Sequence, residues 1–169
     1  MSNNKALGGL LPNASSEELE KVDYSQSSGL INSLVQLNCS VAISSYQSGF
    51  LYHLGCDPKG GLHLHRAAMA KPMGLSYDGV GGLTLAGGSE IIQFTNVLAS
   101  GEHVNNTFDA CFMPRRIHVT GGLDAHDIGI KGNGAPIFVN TRFNCLATVS
   151  DQHSFQEVWR PSFIDTLVD

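Results

Sequence analysis

The densest group of chemistry-bearing residues is Asp124-Ala125-His126-Asp127. Carboxylates and an imidazole so close together are suited to ligating a divalent cation or to acid–base work. Oxygen ligands would favour Ca2+ or Mg2+, and His126 biases the set towards Zn2+, Mn2+ or Fe2+. The candidate metal ligands are therefore Asp124, His126 and Asp127, and His126 and Asp127 are also the candidate catalytic pair. The competing explanation is a turn, in which Asp side chains accept bonds from nearby backbone N–H groups and the His caps a strand end.

A second group, Asn140-Thr141-Arg142, interrupts an otherwise apolar strand pair. Asn140 could orient a ligand, and the Arg142 guanidinium could hold its carboxylate or phosphate. The plain alternative is a hairpin turn with Arg142 paired to an acidic neighbour. Arg115, in Pro114-Arg115-Arg116, is a third candidate for anion binding, set against ordinary surface salt bridging. His63 and His65 share one side of a strand and could bind a transition metal. If Leu62 and Leu64 face the core, these histidines are simply the solvent face. His118 lies inside a strand and is left out of the site. Trp159-Arg160-Pro161 is expected to pack the last strand against the domain with the indole buried.

The elements that would position these groups read as all-β. Many of the 19 glycines sit between short apolar runs, as in a chain of tight turns. Ser15–Glu20 has the form of a capped helix start, and GLINSLVQL (29–37) has apolar residues at helical spacing. From residue 38 the pattern becomes strand and turn. Residues 73–94 and 126–149 repeat one unit of strand, Gly-rich turn, strand, polar break and strand. Leu75 aligns with Ile128 and Leu83 with Ile137, and residues 41–54 match the second half of the unit. Such periods suit the blades of a β-propeller. The expected architecture is an arm and short helix over 1–37, followed by about three propeller-like blades over 38–169. Propellers usually close with roughly four to eight blades. The set is therefore partial, belonging to a longer protein or completed by self-association, with an open sandwich as the less favoured alternative.

Bulk properties narrow the function. The chain has 169 residues, 42% hydrophobic and 15% charged, with a formal net charge of −5. No basic stripe exists, so nucleic acid is not an expected partner. No run of about 18 apolar residues exists to span a membrane, and the N-terminus lacks the apolar core of a signal peptide. Cys39, Cys56, Cys111 and Cys145 match no zinc spacing. They are expected to be buried, reduced thiols of a cytoplasmic protein. There is no G-x-S-x-G elbow, phosphate-binding loop or H-E-x-x-H, and the runs at 79–82 and 87–88 are turns rather than nucleotide loops.

The segments TGGLDAHDI (120–128), VNTRFNCLATV (139–149) and WRPSFI (159–164) resemble a bacterial family, a domain of unknown function held to be propeller-like. ISSYQSGFLYHLG (43–55) and KPMGL (71–75) fit it too. The resemblance implies a propeller fold and no particular activity. It also implies that members continue past the WRP-x-F segment, so a site needing later residues would be incomplete here.

Two functions follow as expectations. The first is a binding or scaffold module with a protein or small-molecule partner, or a homo-oligomer that completes the blade set. The second is a lactonase-like, metal-assisted hydrolase at the mouth of a central channel. There a divalent cation would activate water, and Asn140, Arg142 and Arg115 would hold the substrate. That second reading leans on fold analogy.

Overall fold

A computed structural model describes residues 23–57 and 59–164. The helix start expected at Ser15–Glu20 lies outside them. Helix α1 spans Leu30–Leu37. Its C-cap, Asn38, takes the left-handed conformation at φ 48, and its N–H donates to the Leu34 and Val35 carbonyls. Asn tolerates that conformation better than most residues.

Eleven strands follow: β1 (Val41–Ser45), β2 (Phe50–Cys56), β3 (Leu62–Ala68), β4 (Leu75–Tyr77), β5 (Gly82–Ala86), β6 (Glu90–Asn96), β7 (Phe112–Val119), β8 (Ala125–Ile130), β9 (Pro136–Asn140), β10 (Cys145–Thr148) and β11 (Gln156–Trp159). They form three antiparallel sheets in which sequence neighbours pair. The first is β1-β2-β3, the second β4-β5-β6-β7 and the third β8-β9-β10-β11.

The turns have local causes. Asp57 N–H donates to the Gly61 carbonyl at 2.7 Å, and Lys59 N–H donates to the Asp57 carboxylate at 2.7 Å. At the β4–β5 turn, the Asp78 carboxylate accepts from the N–H groups of Val80 and Gly82 at 2.8 and 2.7 Å. Those backbone donors hold its pKa below the usual carboxylate value, against a smaller opposing effect of desolvation. A Cβ at Gly82 would lie 2.1 Å from an Asp78 carboxylate oxygen, so any larger residue there would displace the carboxylate from the turn.

Alternation along the strands gives each sheet two working faces. Leu83 and Leu85 of β5, with Ile92 and Phe94 of β6, pack on Leu51 and Ala42 of the first sheet. Ala86 and Ile91 point the other way, onto Ala125, Ile128, Phe138, Cys145 and Ala147 of the third. The second sheet is therefore buried on both faces, which is why its central strands read as nearly continuous apolar runs.

The repeat is real, but its register differs by one residue from the sequence alignment. Leu75 pairs with Leu85, and Ile128 pairs with Phe138. Once Leu75 is matched to Ile128, Leu85 therefore matches Phe138 and Leu83 matches Pro136, not Ile137. A slip of one residue exchanges the two faces of a strand.

The cysteines are all free, but only Cys145 is buried; Cys39 is exposed, and Cys56 and Cys111 lie between. Burial, with a smaller contribution from Glu157, raises the Cys145 thiol pKa. Among the described residues no helix is long and apolar enough to cross a membrane.

Candidate functional site

The corner where β8 and β9 meet gathers most of the residues singled out above. Ala125 pairs with Asn140 and Ile128 with Phe138, so β8 carries one extra residue, a bulge containing His126 and Asp127. Asp124 precedes it in the left-handed region at φ 48. Arg142 sits in the β9–β10 turn; its backbone N–H donates to the Leu123 carbonyl at 3.3 Å. One Arg142 guanidinium nitrogen lies 3.5 Å from where a Gly122 Cβ would be.

Within this corner the polar groups are largely engaged in shaping the chain. The Asp127 carboxylate accepts from the Ile128 N–H at 2.8 Å. The Asn140 side-chain oxygen accepts from the Phe143 N–H at 3.3 Å, closing the turn. Asp124, His126 and Asp127 are exposed. Among the described residues no three His, Cys, Asp or Glu side chains converge in metal-holding geometry, so the expected chelate of Asp124, His126 and Asp127 is not assembled. The physical reason is the bulge, which turns the segment into a backbone feature instead of an inward row of ligands. Gly74 enforces it: a Cβ there would lie 2.9–3.0 Å from the Asp127 and Ile128 backbone. Gly74 N–H also donates to the Ala125 carbonyl at 3.2 Å.

Arg115 is not brought to this corner. It is the extra residue of a bulge on β7, since Gln93 pairs with Arg116 and Phe94 with Pro114. That strand is the edge of the second sheet away from β4, whereas β4 and β5 are the strands that meet β8. Among the described residues Arg142 has no acidic partner, and the one ion pair is Arg160–Glu157.

Two buried polar atoms lack partners among the described residues: Asn140 Nδ2, on a residue 0% exposed, and His118 Nε2. His118 pairs with Ile91 and so shares its face towards the third sheet. His65 is exposed, as a solvent face would have it, whereas His63 is half-buried. They pair with Gly55 and His53 on the side of β3 turned to the second sheet, where His63 meets Phe108 at 4.7 Å and His53 stacks on Phe112 at 5.6 Å.

The largest departure is Trp159. It was expected in the core and is 56% exposed. A bulge at Val158 places it opposite Leu146 on the outer face of the third sheet. Leu146 in turn pairs with Val139, giving a cross-strand row Val139–Leu146–Trp159. The same row occurs in the earlier sheets, as Ser44–Leu51–Ala67 and Ala86–Ile91–His118. Leu51 is 2% exposed because the second sheet covers it, and Ile91 is 1% exposed because the third does. The third row has no such cover among the described residues, and Val139 is 39% exposed. The one-residue shift in the alignment bears on this row: it matches Ile137 to Leu83, which faces the first sheet, whereas Ile137 lies with Val139 on the outer face of the third.

A family model, Domain of unknown function (DUF4915), matches residues 28–169. The chain belongs to this DUF4915 family. The matched stretch takes in α1, all three sheets, the β8–β9 corner and the Val139–Leu146–Trp159 row. No curated protein and no solved structure matches the chain significantly.

Proposed function

We propose that this DUF4915 chain is a binding or scaffold module whose working surface is the outer face of the third sheet. The three sheets are read as consecutive blades of a propeller-like stack. The observation that carries the reading is the exposed Val139–Leu146–Trp159 row, at the positions that the two preceding sheets use to bury against a neighbour. Contiguous exposed apolar surface on a folded chain marks an interaction site, and Trp is among the residues that most often dominate binding energy. The four free thiols fit a reducing, cytoplasmic setting.

Trp159 is the sole tryptophan, which makes the surface directly observable. At high dilution, 8-anilinonaphthalene-1-sulfonate should bind the face and accept energy from Trp159. Val139→Lys should abolish that transfer without changing the far-UV circular dichroism. A wild-type chain that takes up no dye at any dilution would remove the basis of this reading.

The metal-assisted hydrolase reading keeps one observation, the orphaned Asn140 side-chain nitrogen on β9, opposite Ala125 of β8. Thermal unfolding with chelator and then with Ca2+, Mg2+, Mn2+ and Zn2+ singly decides it. A metal at about 100 times its dissociation constant would stabilise by roughly 2.7 kcal/mol. The module reading expects no shift; a shift lost in Asp127→Ala would favour the hydrolase.

A further inference from the structure

We propose that Cys39 and Cys56 are a reversible dithiol–disulfide pair, a redox-sensitive modification site that ties the end of α1 to the end of β2. This site is separate from the open face of the third sheet.

The four free thiols are spread over the three sheets. Cys111 leads into β7 of the second and Cys145 opens β10 of the third, which leaves Cys39 and Cys56 together at the first. Strand register sets these two against each other. Val41 pairs with Leu54 in the β1–β2 ladder. One residue further out, a Cβ on Gly55 would lie 3.9 Å from the Ser40 Cβ, so the chains still face each other at that step. The next step opposes Cys39 and Cys56. Ala42 and Leu51 face the second sheet. Alternation puts Ser40 and Gly55 on that same side and both cysteines on the other, the side of α1.

Opposed residues of antiparallel strands lie about 4.5–5.5 Å apart between Cα atoms, inside the roughly 4.4–6.8 Å that a disulfide spans. The ladder ends before Cys39, whose N–H turns to the Leu34 carbonyl at 3.2 Å. Helix α1 then holds the pair, because the Cys56 thiol donates to the Ile31 carbonyl at 3.8 Å. Ile31 and Leu34 are about 4.5 Å apart along the helix axis, so both cysteines are anchored on one short stretch of one helix.

Cys39 is exposed and Cys56 half-buried, so Cys39 is the sulfur that meets an oxidant first. The oxidant is a small disulfide of the glutathione type. The Cys39 thiolate attacks one of its sulfurs, forming a mixed disulfide and expelling one small thiolate. The Cys56 thiolate then attacks the Cys39 sulfur and expels the second. Each leaving thiolate takes up the proton that a cysteine has lost. Two protein thiols and one small disulfide thus become one protein disulfide and two small thiols, and excess small thiol reverses the exchange. The link closes the β1–β2 hairpin at its open end, which restricts the unfolded chain and stabilises the folded one. In a reducing compartment such a bond is transient and serves redox sensing.

The test equilibrates the full chain in buffers of oxidised and reduced glutathione, blocks the remaining free thiols and maps the peptides by mass spectrometry. A Cys39–Cys56 link within one chain is expected, with two thiols lost together, reversal by dithiothreitol and a Tm raised by several degrees. Cys111→Ser should keep the link and the rise. Cys56→Ser should leave Cys39 carrying glutathione and abolish the rise. Four outcomes overturn the pair: both thiols staying reduced in excess oxidised glutathione, each carrying its own glutathione, Cys39 joining a different cysteine or a different chain, or a link that forms only once the chain is unfolded in urea.

Discussion

Gly74 shows how a single residue sets the β8–β9 corner. Its lack of a side chain lets the segment before β4 approach the Asp127 backbone, so Gly74→Ala must push the two apart. The neighbouring atoms are backbone and cannot rotate away. We expect a loss of about 1–3 kcal/mol, read as a lower urea midpoint with an unchanged slope. His118 should behave oppositely. Its Nε2 is buried without a partner, a condition that costs roughly 1–3 kcal/mol. His118→Leu should therefore raise stability by about 1 kcal/mol, whereas a loss would mean that the ring has found a partner. Asn140 differs from His118, because its oxygen closes the β9–β10 turn while only its nitrogen is orphaned. Asn140→Ala should destabilise through the lost turn bond.

Between elements, the seam joining the first and second sheets is sensitive to pH through His53. Burial first, and His65 second, lower its pKa from the ordinary value of 6.5. The unfolded chain therefore takes up a proton before the folded chain does. The stability from this site is fully present above 6.5, is lost as pH falls towards the folded pKa, and then levels off. Urea midpoints measured from about pH 7.5 down to 5 should fall in the wild type and fall less in His53→Leu. At the other seam Phe138 is fully buried among apolar side chains, and Phe138→Ala there should cost about 3–5 kcal/mol. Helix α1 and the strands were legible because their apolar periods, 3.6 and 2, are local properties of the chain. The sidedness of the strands was less so. It depends on register between strands far apart in sequence, and matching Leu83 to Ile137 instead of Pro136 exchanged the faces there. The bulges at Arg115, at His126 and Asp127, and at Val158 leave no periodic trace, so three exposed acid–base side chains read as a chelate and Trp159 read as core.

At the scale of the whole molecule, the chain is a series of three packed sheets, and the outer face of the third has no cover among the described residues. The most direct test of the open face is acrylamide quenching of Trp159, the chain's only tryptophan. At high dilution the account predicts red-shifted emission and ready quenching. Blue-shifted emission that resists quenching at every dilution would contradict it, placing the indole in the chain's own core and leaving the third sheet with no open face.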